Sequence, residues 1–287
     1  MGCQDQGTEK VLYVTVLYRQ RLHETNAYKT LLHDRAAVYI QDNSPETDTP
    51  HIEIPENWVY RREPSNPGLS SAYNSAARYA AENGFEWIVI TDQDTLYAEG
   101  AAKRYENFPK QYPDVRVFLP RVRIPDGRYI SPLPKNSYFT RPATTPLSGR
   151  ITLLDSAVIN SGLMVRTDDF IECGGYSDKV FLDFSDFQFI ERLGRIVPYA
   201  FATDEESTQS FSAVTDSGET QKKRYRLFCR SLKGFESENL KGKLSIFAVI
   251  LKRSVSLSVS SKSFWPIKIL IKDYLLFRCA DDPRGRL

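Results

Sequence analysis

Two carboxylates one residue apart, Asp92 and Asp94 in the run EWIVITDQDT, are the most chemically informative feature of this 287-residue sequence. They follow an apolar, β-branched stretch, residues 86–91, that reads as a buried strand. In an open parallel sheet, ligands bind beyond the carboxyl ends of the strands. Paired carboxylates at such an edge can share a hard divalent cation, Mg2+ or Mn2+, which can then bridge a diphosphate. The plainer alternative is an aspartate that caps a helix or makes an Asx turn. A second acid, Asp42 in Asp-Asn-Ser-Pro, follows the strand-like residues 37–41 and is expected on the same edge. A carboxylate there can read the imide N–H of a uracil or thymine ring, or simply build the turn that these residues favour. A third cluster lies in GGYSDKVFLDFSDFQFIERLGR, residues 174–195, where Asp183 and Asp186 flank the start of an expected helix. A carboxylate facing a closed cleft can act as a general base, although acids in a first helical turn are favoured electrostatically without any such role.

These groups need a scaffold, and the first half of the chain alternates strand-like with helix-like segments. Residues 11–18, 37–41, 58–61 and 86–91 read as strands, and 22–33 and 70–83 as helices, the second ending at Gly84. Strands 20–30 residues apart with helices between them indicate βαβ units and a mainly parallel sheet. Six prolines between Pro120 and Pro146 predict an irregular connection with short edge strands and no central strand. Regular structure is expected again at 151–158 and 162–165, then a helix over 185–193 stopped near Gly194.

Composition bounds the remainder. With 41% hydrophobic and 26% charged residues, the chain is neither disordered nor fibrous. Cys3, Cys173, Cys229 and Cys279 are far apart with no CxxC pair, which excludes zinc ribbons and thioredoxin-type chemistry and suits a reducing cytoplasm. The first residues, MGCQDQ, carry no apolar segment of a signal peptide. The net charge of +2 hides an asymmetry: residues 222–278 hold fourteen Lys and Arg against three Asp and Glu, whereas residues 1–221 are net acidic. A basic appendage seeks phosphates, of nucleic acid or of an anionic membrane. No nucleic-acid motif accompanies the charge, so nucleic acid is not expected as a partner. The run 244–259 has Lys252 and Arg253 in its middle, making a spanning helix costly. Residues 264–277 mix Phe264, Trp265 and aliphatics with lysines, which fits either a helix in a membrane interface or a helical pair packed on the body.

Taken together, VTVLYR (14–19), IQDNSP (40–45), NPGLSSAYNSA (66–76), ITDQDT (90–95), NSGLMVR (160–166) and the 174–192 region resemble, in order and spacing, the family 2 inverting glycosyltransferases. The resemblance covers about residues 11–230. It implies an α/β GT-A fold, Rossmann-like, with a mainly parallel sheet flanked by helices. The catalytic domain would span 1–221, with a nucleotide-sugar half (about 10–118) and an acceptor half (119–221), followed by a basic helical extension, 222–287. It implies Asp186 as catalytic base, with Asp183 the second choice, and a nucleotide-sugar site built from Tyr18, Asp42, Gly68, Asn74, Asp92 and Asp94. The Mg2+ or Mn2+ would be held through Asp94 and Asp92. The donor would be a dTDP- or UDP-sugar and the acceptor a glycan or lipid-linked saccharide, at the cytoplasmic face of a membrane. The Asp-x-x-Asp form at 183–186 looks most like rhamnosyltransferases and galactofuranosyltransferases. Two positions depart from the family: Ser185 stands where many relatives carry Glu, and STQSFSAV (207–214) stands where many carry a metal-binding His.

Two rivals remain. A haloacid-dehalogenase-type phosphatase needs Asp-x-Asp-x-Thr on its first strand; here threonine is fourth, at Thr95, and two βα units precede it. A non-catalytic binding protein with the same fold accommodates the missing Glu and His, but such proteins usually lose the carboxylates that this chain keeps.

Overall fold

The computed structural model describes residues 10–32, 36–45, 54–135, 138, 141–180, 183–209, 218–237 and 240–276. The strands are β1 (Val11–Leu17), β2 (Ala37–Asp42), β3 (Trp58–Arg62), β4 (Trp87–Asp92), β5 (Thr95–Tyr97), β6 (Val117–Arg123), β7 (Tyr129–Ser131), β8 (Leu133–Pro134), β9 (Gly149–Thr152), β10 (Ser156–Ala157), β11 (Met164–Arg166) and β12 (Tyr199–Gln209). The main sheet runs β3-β2-β1-β4-β11-β6-β12-β5, with β7 and β9 paired to β6 and β12, while β8 and β10 form a separate ladder. β1 to β4 are mutually parallel, and β11 enters antiparallel between β4 and β6.

Every residue of β1 is buried, and so is all of β4 except Asp92, as expected for central strands covered on both faces. The side chains divide with period two. Leu12, Val14 and Val16 face α1 (Leu69–Glu82), whose Ala72, Ala76, Ala77 and Ala80 allow a close approach. Val11, Tyr13 and Leu17 belong to the opposite layer with Tyr105 and Phe108 of α2 (Ala101–Gln111). Further along the first face lie α3 (Thr167–Glu172) and α4 (Ser185–Ile196), which contribute Phe170, Phe189, Ile190 and Leu193. The chain ends in α5 (Glu219–Lys233), α6 (Leu240–Ser261), α7 (Trp265–Ile269) and a wide helical turn, Leu270–Leu275. Tyr225, Phe228, Ile250 and Ile269 form a third core there, against which Phe184 and Phe187 of the 183–187 segment pack.

Four expectations are corrected. Residues 22–32 form two short turns, Leu22–Glu24 and Tyr28–Leu32, in place of one helix; His33 lies outside the described residues. Pro120 sits inside the central strand β6. β11 pairs β6 only at Val117 and Phe118, and the β6–β12 register shifts between Ala202 and Glu206, so the missing N–H falls at an irregularity. Gly194 does not stop α4: a Cβ there would meet Leu154 Cδ2 at 2.7 Å, so glycine serves packing, and the helix ends two residues later, before Val197 and Pro198. Residues 240–261 form one unbroken 22-residue helix, longer than the apolar run alone indicated.

Candidate active site

Three loops leave the C-terminal edge of the parallel strands at one level, because Leu17 pairs with Asp42 and Val16 with Asp92. They are laced together. The Tyr18 N–H donates to Gln93 Oε1 at 3.0 Å, and the Arg19 N–H donates to Ser44 Oγ at 2.8 Å. Tyr18 itself is 44% exposed, with the Arg19 guanidinium 5.4 Å from its ring centre, so an aromatic face stands open at the edge.

Asp42 is fully buried. One oxygen accepts the Ser44 N–H at 2.9 Å and the other the Tyr60 hydroxyl at 2.6 Å. The Asx turn is therefore real, and it coincides with the placement on the shared edge. Burial, helped by that carboxylate, pushes the Tyr60 hydroxyl up to about 12. Gly68, at φ +92°, precedes α1, and its carbonyl accepts Asn43 Nδ2 at 3.4 Å. Glycine adopts that φ at little cost, and it brings bare backbone beside the turn after β2.

Asp92 ends β4 half-buried. Its Oδ1 accepts the Tyr73 hydroxyl at 3.3 Å, and its Oδ2 accepts the Ser161 hydroxyl, which also bonds Thr95 Oγ1 at 2.8 Å. Burial raises its carboxyl to about 6; the Ser161 hydrogen bond opposes the rise and the Asp94 charge adds to it. Asp94 is also raised by burial, and its carboxylate has no side-chain partner among the described residues. Of residues 207–214, where many relatives carry a metal-binding His, the last strand includes Gln209, which pairs directly with Thr95 and whose Oε1 is buried without a hydrogen bond. Opposed residues of an antiparallel pair share one face, so this oxygen lies on the side that Thr95 uses to reach Ser161. Residues 210–214 lie outside the described residues. Among the described residues, no three His, Cys, Asp or Glu gather to hold a metal. Asp92 and Asp94 are an all-oxygen pair too small to cage a cation, which fits Mg2+ or Mn2+ arriving with phosphates and water.

Asp186 lies in the first turn of α4, Oδ1 accepting the N–H of Phe187 at 2.8 Å. Burial, with the charges of Asp92 and Asp183 adding to it, raises its carboxyl to about 7. Asp92 thus acts electrostatically on Asp186 although 94 residues separate them in the chain. Between their elements the rings of Tyr73 and Tyr176 are 5.0 Å apart, and Tyr176 stacks on Phe189 of α4 at 4.2 Å. Asp183 has a different partner: its Oδ2, which has no hydrogen bond, is 3.8 Å from the Arg253 guanidinium of α6. Phe181 and Leu182 lie outside the described residues.

Asn74 departs from its expected role. Its Nδ2 donates to the Tyr176 carbonyl and its Oδ1 accepts the Tyr176 N–H, both at 2.9 Å. It is a strut between α1 and the loop before α4, and not a free contact to a nucleotide. A Cβ on Gly175, already at φ +61°, would meet Asn74 Oδ1 at 2.4 Å. Gly175→Ala is therefore expected to lose about 1–3 kcal/mol, read as a lower chemical-denaturation midpoint; an unchanged midpoint would remove the strut. Tyr73, Ser161 and Tyr176 were not singled out in sequence, since a hydroxyl carries no pattern until the fold pairs it. Ser161→Ala should raise the Asp92 pKa further above about 6 by removing the bond that opposes burial. Observing the Asp92 carboxyl by NMR titration checks the direction, and a fall would refute it.

No protein-family model matches the chain, and no curated protein does. Among solved structures, it is similar to S. aureus TarS 1–349 in complex with UDP, at 16% identity over 86% of this chain and 72% of that one, TM-score 0.50. It is similar as well to the same protein in complex with UDP-GlcNAc, at 14% identity over 86% and 73%, TM-score 0.50. At these identities the likeness establishes the fold: mixed α/β of the GT-A kind, with a mostly parallel sheet flanked by helices.

Proposed function

We propose that this protein is a glycosyltransferase that moves a sugar, with inversion, from a nucleoside-diphosphate sugar to an acceptor hydroxyl. The observation that carries the reading is the pairing of two unlike acidic sites: Asp92 and Asp94 at the strand edge, and Asp186 with a carboxyl near 7 across the Tyr73–Tyr176 contact. The neighbouring fold is recorded with UDP and with UDP-GlcNAc bound, which supports a pyrimidine nucleotide donor.

In this reading the nucleobase lies by the β2 turn, where Tyr18 offers an aromatic face, and the buried Asp42 acts by holding that turn rather than by touching the base. The diphosphate lies at Asp92 and Asp94. A divalent cation, when bound through Asp94 and Asp92, supplies neutralisation of the charge that grows on the leaving diphosphate. Asp186 takes the proton of the acceptor hydroxyl as that oxygen attacks the anomeric carbon; the bond from that carbon to the phosphate oxygen breaks, and the nucleoside diphosphate leaves with its electrons. One displacement inverts the centre. The donor sugar is proposed as rhamnose or another sugar carried on dTDP or UDP, and the acceptor as a glycan or lipid-linked saccharide.

Thermal unfolding with UDP, UDP-GlcNAc and dTDP-rhamnose, each with Mg2+ or Mn2+, tests this. A ligand at a hundredfold excess over its Kd adds about 2.7 kcal/mol, a rise of several degrees for a chain of this size. If UDP, dTDP and every nucleotide sugar leave the melting temperature unmoved, the donor site is refuted.

A further inference from the structure

The outer face of α6 is apolar and has no partner among the described residues. Leu240, Leu244, Leu251, Val255 and Val259 are 72%, 58%, 40%, 50% and 73% exposed. At 3.6 residues per turn they share one stripe roughly 100° wide that runs the length of the helix. The opposite side is packed: Ile246, Val249 and Ile250 enter the third core, and the Tyr225 hydroxyl bonds Ser254. Beyond the helix end, Phe264 is 79% exposed and Leu276 72%. Monomeric proteins rarely leave so continuous an apolar face in water.

Length and composition alone would let α6 cross a membrane, since it is 22 residues long, mostly apolar and little buried. Its inner face argues against crossing. Arg253 stacks over the Phe228 ring at 4.1 Å and pairs with Asp183, and both contacts would be torn away. The helix is built to lie flat. What it lies on is indicated by charge: Lys241, Lys243 and Lys252 on α6, Lys262 just past it, Lys268 on α7 and Lys272 on the turn that follows are all exposed. At 3.6 residues per turn, Lys241 and Lys252 border the stripe. An apolar stripe edged with lysines complements acyl chains below an anionic headgroup layer.

We propose that α6 is the docking face of this protein on an anionic lipid bilayer, with the stripe inserted to headgroup depth and the lysines on lipid phosphates. The same helix delivers Arg253 to Asp183, three residues from Asp186. Docking therefore sets the acceptor-side carboxylates within about one helix diameter, about 10–12 Å, of the surface. Resting on the transfer reading above, this points to an acceptor carried on a membrane lipid; the docking face itself does not depend on that reading.

Vesicle co-sedimentation of the full chain tests it, with phosphatidylglycerol–phosphatidylcholine vesicles against phosphatidylcholine alone at low and high salt. The protein is expected to pellet at least tenfold more strongly with the anionic vesicles and to be largely released at high salt. Leu251→Asp with Val255→Asp should abolish pelleting. Lys241→Glu with Lys262→Glu should remove the preference for anionic lipid. Circular dichroism and UDP-induced melting shifts should be unchanged in both double variants, since these positions face solvent. Failure of the intact protein to bind anionic vesicles at low salt overturns the proposal. So does a self-associating wild type that the Leu251/Val255 variant renders monomeric without loss of vesicle binding. Loss of the UDP shift with vesicle binding intact would instead overturn the transfer reading alone.

Discussion

Asp186→Asn should lower turnover by about 10²–10⁴-fold, the usual worth of general base catalysis, while leaving the UDP-induced melting shift intact. The wild-type rate should rise with pH through about 7 and level off above it, because the carboxyl is raised to about 7 by burial and by the charges of Asp92 and Asp183 and works only when ionised. Stability should move oppositely. A carboxyl whose folded-state pKa lies above its unfolded value is costly to ionise in place, so the protein loses stability as pH rises from about 4 to about 7. Asn carries no such cost, and the variant should melt higher than wild type at pH 8 and about equally at pH 4. An acid whose only role was to favour the first turn of α4 would do the reverse, losing about 0.3–1 kcal/mol on becoming Asn. Full turnover in Asp186→Asn, with a dead Asp183→Asn, would move the base to Asp183. The Arg253 guanidinium 3.8 Å from Asp183 makes that the weaker candidate, since its carboxylate already has a partner on α6.

Much of the edge that carries these groups was legible in sequence. The runs 11–18 and 86–91 are apolar throughout because β1 and β4 are covered on both faces, and that is why residue type alone located the loops that follow them. The side-by-side placement of Asp42 and Asp92 followed from parallel pairing and is met by the registers of β1 with β2 and β4. What was not legible depends on contacts between distant segments. Pro120 argued against a central strand, and only the register shift in β12 shows where its missing N–H is tolerated. Asn74 had the right residue type for a ligand contact, but the Tyr176 backbone 102 residues away claims both of its polar atoms. Gln209 stands in the segment where many relatives carry a metal-binding His, and its meaning lies in its pairing with Thr95, which no local pattern encodes. The C-terminal helices divided two expectations between two faces: α6 is packed on one side and exposed on the other, and a hydrophobic run does not announce which of its residues will find a core.

Asp94→Ala should lower turnover in Mg2+ or Mn2+ by about 10²–10³-fold, the usual cost of removing one preorganised partner of a developing anion, and it should weaken UDP binding and remove its dependence on the cation. Asp94 is chosen because it is the edge carboxylate with no side-chain partner among the described residues, whereas Asp92 is already held by Tyr73 and Ser161. The two should differ in kind. Asp92→Ala also leaves the Ser161 and Tyr73 hydroxyls without their acceptor and should lower the melting temperature of the free protein; Asp94→Ala should not. Burial raises the Asp94 carboxyl, so the cation-dependent part of binding should fade on acidification at a higher pH than an ordinary carboxylate would allow. Gln209→Ala gives an independent check: it removes the buried Oε1 that has no hydrogen bond, so cation dependence should weaken if that oxygen is a ligand, with Gln209→Glu restoring or strengthening it. Isothermal titration with UDP, with and without EDTA, reads all four variants. Equal UDP affinity and full transfer activity of the wild-type protein in excess EDTA would eliminate the cation, leaving Asp92 and Asp94 without a counter-charge beside a diphosphate, and the leaving-group half of the mechanism would fail with it.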